Sequence, residues 1–244
     1  MDISAVCEKR EVLDALSREY GGEIHLYRAV LPHIFRAGDE EKLGRILEES
    51  EVLCRTLDEL GFLKESGYGG EIIADAQLYA CNKESAGMLS ALGIAMDTAP
   101  LELSFHELME RGITGSELVI YGRVPMMVSA QCVRKNTGAG RCGRGEEKEV
   151  IFLKDRKNTE FPCLCYCRFC YNVIYNSVPV SLHGEEQRIR SLSPRRVRLS
   201  FTTEEPEEAC RIAGAFLAEY REGRPMEKAP VEAFTRGHFR KGME

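Results

Sequence analysis

Over the first half of the chain short apolar runs alternate with longer amphipathic stretches. The alternation predicts strands near 23–30 (EIHLYRAV), 51–56, 71–76 (EIIADA), 93–97 and 117–122 (ELVIYG). Helices are expected between them. DEEKLGRILEES, LDELGFLKE and CNKESAGMLSALG each carry Leu, Ile or Met at helical spacing, with acidic residues early, where the helix dipole favours them. Strands of about five residues separated by helices of about ten describe βαβ crossovers, hence an α/β fold with a parallel sheet or part of a barrel. An open doubly wound sheet satisfies the same pattern. No G-x-G-x-x-G or G-x-x-x-x-G-K-[ST] follows any of these strands, so a dinucleotide or P-loop phosphate site has no support.

The text changes character after residue 130. Gly-rich and basic QCVRKNTGAGRCGRG gives way to EVIFLKDRKNTEFP and then to cysteine-dense CLCYCRFCYN, which reads as a loop and hairpin region. NVIYNSVPVSL is extended, EEQRIRSLSPRRVRLSFTTE predicts a short helix followed by a strand at 196–203, and a last helix is expected over 204–222. Pro206 lies near its first turn and Gly223 beyond its end. Three segments result: a partial barrel region at 1–125, a cysteine-rich segment at 126–182, and a strand–helix segment with a TRGHF tail at 183–244.

Composition narrows the class. The chain has 244 residues, 43% hydrophobic and 30% charged, as ordinary globular proteins do. No apolar run approaches the roughly 18 to 20 residues that span a bilayer, and charges run through the first twenty residues, so the expectation is a cytoplasmic protein without membrane contact. The net charge of −6 argues against a protein that coats nucleic acid nonspecifically. Basic residues nevertheless concentrate at Arg134, Lys135, Arg141, Arg144, Lys148, Lys154, Arg156 and Lys157, and again at Arg188, Arg190, Arg195, Arg196 and Arg198. Such focusing would present RNA phosphates with a positive face, or form a solvated surface that offsets a cluster of thiolates.

Ten cysteines in a chain without a leader are expected to be reduced thiols. Cys7, Cys54, Cys81 and Cys210 are scattered, whereas Cys132, Cys142, Cys163, Cys165, Cys167 and Cys170 share one stretch. The readable subset is Cys132, Cys142, Cys167 and Cys170, spaced C-x(9)-C-x(24)-C-x(2)-C. A C-x(2)-C knuckle lets two sulfurs point at one centre while a Gly-rich loop wraps it. Four thiolates suit tetrahedral zinc or an iron–sulfur cluster, and spacing does not separate the two. Cys163 and Cys165 alternate with Cys167, so a strand would put all three on one face, as spare ligands or as packing.

The run ELVIYGRVPMMVSAQC, from Glu117 to Cys132, resembles the signature of peptidase family U32, the collagenase-like peptidases. Glu117, Gly122, Ser129 and Cys132 match it; Val119, Pro125, Ala130 and Lys135 depart from it. FLKDRKNTEFP, YCRFCYNVIYNSVP and FTRGHFRKGME, in the same order, look like the long branch of that family. The resemblance runs from LPHIFR at residue 31 to the end. It implies a TIM-barrel-like domain with an added cysteine segment holding a 4Fe-4S cluster, by position on Cys132, Cys142, Cys167 and Cys170. It further implies oxygen-independent hydroxylation of RNA bases or a small aromatic substrate, with prephenate as oxygen donor, or the proteolysis of the family's older name. No H-E-x-x-H and no nucleophile motif supports proteolysis directly. Only five strands are read before the cysteine segment, so the chain looks like the C-terminal half of such a barrel, and a complementing N-terminal half or a homologous subunit is expected at its open edge.

Arg55, Asp75, Asn82 and Glu102 fall at or just after the ends of predicted strands, where barrel enzymes place their chemistry. Each also has a structural reading, Glu102 as a cap of the next helix. Tyr121 and Arg123 beside Gly122 would stack on and pair with a planar anionic substrate. His25 and His33 read as packing histidines. The tail match makes His238 the strongest histidine candidate, as a residue closing over the site or docking the tail.

Overall fold

The computed structural model describes residues 1–34, 36, 38–136 and 149–242, apart from the side chain of Glu40. In chain order the elements are β1 (Asp2–Cys7), α1 (Arg10–Tyr20), β2 (Ile24–Leu26), α2 (Glu40–Leu43), β3 (Glu51–Cys54), α3 (Leu57–Glu65), β4 (Glu71–Ala74), α4 (Lys83–Ala91), β5 (Met96–Asp97), α5 (Phe105–Arg111) and β6 (Glu117–Gly122). There follow β7 (Pro125–Ser129), α6 (Val133–Asn136), β8 (Glu149–Lys154), β9 (Glu160–Tyr166), β10 (Tyr171–Tyr175), β11 (Val180–Ser181), α7 (Glu186–Leu192), β12 (Arg196–Phe201) and α8 (Pro206–Tyr220). Among the described residues no helix is long and apolar enough to cross a membrane.

The fold is mixed α/β. One sheet has the order β11-β6-β12-β1-β2, parallel except for β11, and a second parallel sheet has the order β3-β4-β5. Parallel neighbours need crossover connections, and the amphipathic helices supply them. Isolated parallel bridges link the two sheets at both ends, Val30 to Leu53 and Thr98 to Glu117. Leu53 N–H donates to the Ala29 carbonyl at 3.0 Å, and Ala99 N–H to the Glu117 carbonyl at 2.8 Å.

Alternation along the strands divides the side chains. Ile3, Ala5, Val197, Leu199 and Phe201 pack outward with α1 and α8 in the largest core, while Val52, Cys54, Ile72 and Ala74 pack with α3 and α4. The opposite faces of both sheets contribute to one small cluster, Val6, Tyr27, Leu53, Ile73 and Met96. Polar residues share that interior: Ser4, Thr98, Glu117 and Arg198 are all buried.

β1 is absent from the sequence reading because its run DISAVC is short and begins at the first residues, where charged text dominates. It pairs with β12 along its whole length and with β2, so it is a central strand. The expected strand at 93–97 shrinks to Met96–Asp97, and the helix expected in DEEKLGRILEES is one α-helical turn followed by a 3-10 turn, Gly44–Glu48. Gly44 in mid-pattern weakens that helix.

A four-stranded antiparallel sheet, β7-β10-β9-β8, occupies the cysteine-rich segment. One of its faces carries Leu164, Tyr166, Tyr171, Val173 and Tyr175 as a separate core, with the Tyr166 and Tyr171 rings stacked at 4.4 Å. The tail docks on the outside: Thr235 pairs with Val180, and Phe239 packs against Phe105 of α5 at 5.8 Å.

Candidate functional site

A cleft open to solvent, with an enclosed volume of about 70 Å³, lies where β1, β3, β4, β6 and β12 end. Its walls include Glu8, Arg55, Asp75, Glu102, Arg123 and Arg198. Three of the residues expected at strand ends from sequence, Arg55, Asp75 and Glu102, therefore face one space, together with Arg123, expected as a substrate-pairing residue. Asn82 instead caps α4, with its side chain accepting from Ser85 N–H at 2.8 Å in a reciprocal capping box.

A chain of buried charge runs from the interior to this mouth. Glu117 of β6 accepts from Ser4 at 2.5 Å, from Tyr27 at 3.0 Å and from Arg198 at 3.0 Å. Arg198 also donates to Asp75 at 2.5 Å, Asp75 takes a longer contact of 3.4 Å from Arg55, and Arg55 donates to Glu8 at 2.9 Å. Burial works against ionisation of Asp75, but Arg198 and Arg55 outweigh it and hold the carboxyl below the usual range. The same balance holds both guanidiniums charged: burial opposes them, and Glu8 for Arg55 and Asp75 for Arg198 prevail. Three carboxylates, Glu8, Asp75 and Glu117, thus share two guanidiniums, and in the wall itself Glu8, Asp75 and Glu102 balance Arg55, Arg123 and Arg198, so it carries no surplus of positive charge.

Glu8, Glu117 and Arg198 were missed as site residues by sequence reasoning. Glu8 directly follows the unread β1. The structure corrects the reading of Arg198 as part of a basic surface: in RVRLSF the alternation sends Val197, Leu199 and Phe201 outward and Arg198 inward, where it is 4% exposed. Its neighbours are also engaged, Arg190 with Glu186 and the Tyr220 carbonyl, and Arg196 with Glu51 and Tyr27. Arg141, Arg144 and Lys148 lie outside the described residues.

Tyr121 does not reach the cavity. Between Arg198 and Leu199 the β12–β6 register slips, so that Val119 faces Arg198 and Tyr121 faces Leu199. The bulge turns Tyr121 to the helix side, where it packs against Phe201 and Phe216 and donates to Glu204 at 2.9 Å. Burial, then Glu204, pushes its phenol well above the ordinary value. Arg123 lines the cavity but is held by the carbonyls of Asn176, at 3.0 Å, and Ser177. His238 is exposed on the docked tail, with Nδ1 2.9 Å from the Gly242 carbonyl, and does not line the cavity.

The antiparallel sheet connects cavity and cysteines. Its tyrosine face supplies Tyr175 to the cavity wall. On β9, Cys163 and Cys165 alternate with Leu164 and Tyr166 and so occupy the other face, both buried. Asn172, the register partner of Cys165, donates to the carbonyls of Ser129, at 3.4 Å, and Gln131, which ties down the turn leading into Cys132. The turn from Cys167 to Cys170 is fastened to the 36–42 segment: Arg36 donates to the Phe169 carbonyl at 2.8 Å, and Lys42 to the Arg168 carbonyl at 3.2 Å. Burial raises the Cys167 thiol, the nearby sulfurs of Cys165 and Cys132 raise it further, and Arg134 works against both. Its hydrogen bond to Cys163, then burial, pushes the Cys165 thiol up.

Of the expected ligands, Cys132 and Cys167 are therefore neighbours, Cys170 is exposed at a backbone φ of 53°, and Cys142 lies outside the described residues. Among the described residues no group of three or more His, Cys, Asp or Glu side chains already stands in ligand geometry. Cys132, Cys165 and Cys167 stand near one another with Arg134 beside Cys167 to offset thiolate charge, a set of donors whose chemistry suits a soft centre.

A serine–histidine contact also occurs, away from the cavity: Ser181 Oγ lies 2.8 Å from His183 Nδ1. Arg236, which can only donate, faces His183 Nε2 at 3.3 Å, so Nε2 accepts and Nδ1–H donates to the serine. Burial, then the charge of Arg236, lowers the His183 pKa to about 4. Ser181 is fully buried, and the imidazole has no lone pair to offer its hydroxyl.

No family model, curated protein or solved structure matches the chain.

Proposed function

We propose that the parallel strands form one barrel, β1-β2-β3-β4-β5-β6-β12, whose open end is the active site of an iron–sulfur enzyme acting on a small aromatic ring or an RNA base. The bridges at Val30/Leu53 and Thr98/Glu117, and the interior cluster drawn from both sheets, support the ring. On this reading no complementing half is needed, because the edge that the count of five strands left open is filled by β1 and β12. Active sites of such barrels lie at the C-terminal ends of the strands, which is where this cavity lies.

One observation carries the proposal: a single sheet presents Tyr175 to the cavity on one face and buries Cys163 and Cys165 on the other. A redox centre at the cysteine end would thus stand one sheet away from a substrate in the mouth. Cys132, Cys142, Cys167 and Cys170 would hold it, with Cys165 beside Cys167, and a 4Fe-4S centre would supply single electrons there. The chain's own residues do the rest. Arg55 and Arg123 orient the ring's oxygen substituents, the tyrosines exclude water, and Asp75 stays ionised beside its two arginines. The near-balanced wall charge favours a neutral ring over a phosphate group.

Anaerobic purification with iron, acid-labile sulfide and zinc analysis tests the reading. A brown protein with iron and sulfide in equal amounts, losing its visible absorption in air, supports it. A colourless protein carrying one zinc per chain overturns it and leaves a zinc-stabilised binding module.

A further inference from the structure

Behind the cavity wall, in the first turn of α3, Glu59 is fully buried. Its position in Thr56-Leu57-Asp58-Glu59 is that of a capping box: Thr56 Oγ1 accepts from Glu59 N–H at 3.2 Å, and Thr56 caps the helix. A capping glutamate on a solvated helix end is wet and ionised. This one is dry, and its two oxygens are unequal. Oε2 accepts from the Arg55 backbone N–H at 2.5 Å, while Oε1 has no hydrogen-bond partner among the described residues. Leaving a carboxylate oxygen buried and unpaired is costly, and a cap alone gives no reason for it.

Three chemically active neighbours surround that carboxyl. The Arg55 guanidinium and the Cys54 thiol come from the end of β3, and Asp75 follows β4. Arg55 is the same residue whose guanidinium reaches Glu8 and Asp75 in the cavity wall. We infer that Glu59 is a proton-linked positioning residue for Arg55, holding its backbone and competing for its charge, so that its ionisation sets how far Arg55 is available to a ligand. This concerns the control of the cavity proposed above as the active site and rests on that reading for its consequence.

Charge argues for the coupling. An ionised Glu59 would be a third carboxylate, with Glu8 and Asp75, drawing on one guanidinium. A neutral Glu59 keeps the hydrogen bond from Arg55 N–H through its carbonyl oxygen and places no charge on the unpaired one, leaving the Arg55 charge to the cavity. Burial is the leading influence on this carboxyl, with Asp75 acting in the same direction and the Arg55 and Thr56 N–H groups and the Arg55 charge opposing it; together they raise its pKa to about 7. Linkage then works both ways: an acceptor that engages Arg55 in the cavity withdraws stabilisation from the Glu59 anion and favours proton uptake.

The test is a pH titration of the full chain, labelled with nitrogen-15 and with carbon-13 at Glu side chains, followed by NMR from about pH 5.5 to 8.5. The expected result is one sigmoidal shift of the Arg55 amide and of the Glu59 carboxyl carbon with a common midpoint near 7, and a flat Arg55 amide in Glu59→Gln. A Glu59 carboxyl already ionised at the acid end, or an Arg55 amide that does not move with it, overturns the inference using wild-type protein alone. An Arg55 shift that persists in Glu59→Gln also overturns it. Absence of iron would defeat the proposed function without touching this titration, and a flat titration would leave the iron result standing.

Discussion

Asp75 and Arg198, 123 residues apart in sequence, meet at 2.5 Å and join the end of β4 to the middle of β12 across the interior. Arg198 donates from the same guanidinium to Glu117 at 3.0 Å, so one cation serves two buried carboxylates.

Removing it should be costly. Arg198→Met leaves Asp75 and Glu117 buried with their shared cation gone, and the expected loss of unfolding free energy is about 3–5 kcal/mol. Arg198→Lys should recover only part of this, because a single ammonium cannot reproduce the fork that also reaches Thr98. Urea unfolding followed by circular dichroism checks both. A loss below about 1 kcal/mol for the methionine variant would show that the carboxylates find other partners or water.

The cysteine segment makes a separate prediction. Cys167→Ala and Cys170→Ala are each expected to lose bound iron, whereas Cys54→Ala should keep it. Cys54 is buried at the end of β3, its Sγ donating to the Thr56 carbonyl at 3.2 Å, and burial followed by Glu59 raises its thiol far from reactivity. Iron content per chain after anaerobic reconstitution is the measurement. Full iron in both of the first two variants would refute the ligand assignment.

These residues also show what the sequence could disclose. Arg55, Asp75 and Glu102 were legible because each follows a strand with clear apolar runs, and strand ends are where a parallel sheet exposes its loops. The cysteine spacing is likewise a short-range pattern, and it picks out a segment that folds as an antiparallel sheet of its own. Other features depend on long-range pairing. Tyr121 shares a period with Glu117 and Val119 until a bulge set by β12 reverses it, and no local signal announces that slip. Arg198 reads as part of a basic run, and only the pairing of β12 between β1 and β6 turns it inward. The unread β1 concealed Glu8, which directly follows it.

Gly122 is a position where the backbone allows one residue type. Its φ is 142°, and a Cβ placed there would lie 2.6 Å from the Ser200 carbonyl oxygen, on the strand that pairs with β6. Gly122→Ala should therefore push β6 from β12 at the cavity rim. The expected cost is on the order of 1–3 kcal/mol, read as a lowered melting temperature. Gly115→Ala, where a Cβ meets nothing within 4 Å, serves as the comparison and should change stability little. Equal melting temperatures for the two variants would contradict the close approach.

Glu59 yields a prediction about stability that is distinct from its spectroscopic titration. Its carboxyl has a pKa raised to about 7 in the folded chain, by burial first, against 4.5 for an unperturbed glutamate. Between those values the folded state binds more protons than the unfolded state, so unfolding free energy falls as pH rises through that window and the loss is complete above it. Glu59→Gln cannot ionise and escapes the loss while keeping an acceptor for Arg55 N–H. It should match wild type near pH 4.5 and exceed it above pH 7, by at most about 3 kcal/mol and by less where the amide fits the unpaired side poorly. Asp75 acts in the opposite sense: its lowered pKa stabilises the fold above the ordinary carboxylate range and is lost as pH falls through it. The difference between variant and wild type cancels that contribution, because Asp75 is present in both. Urea unfolding at several pH values gives the curve, and a difference that does not grow between acid and neutral pH would place Glu59 among ordinary, permanently ionised caps.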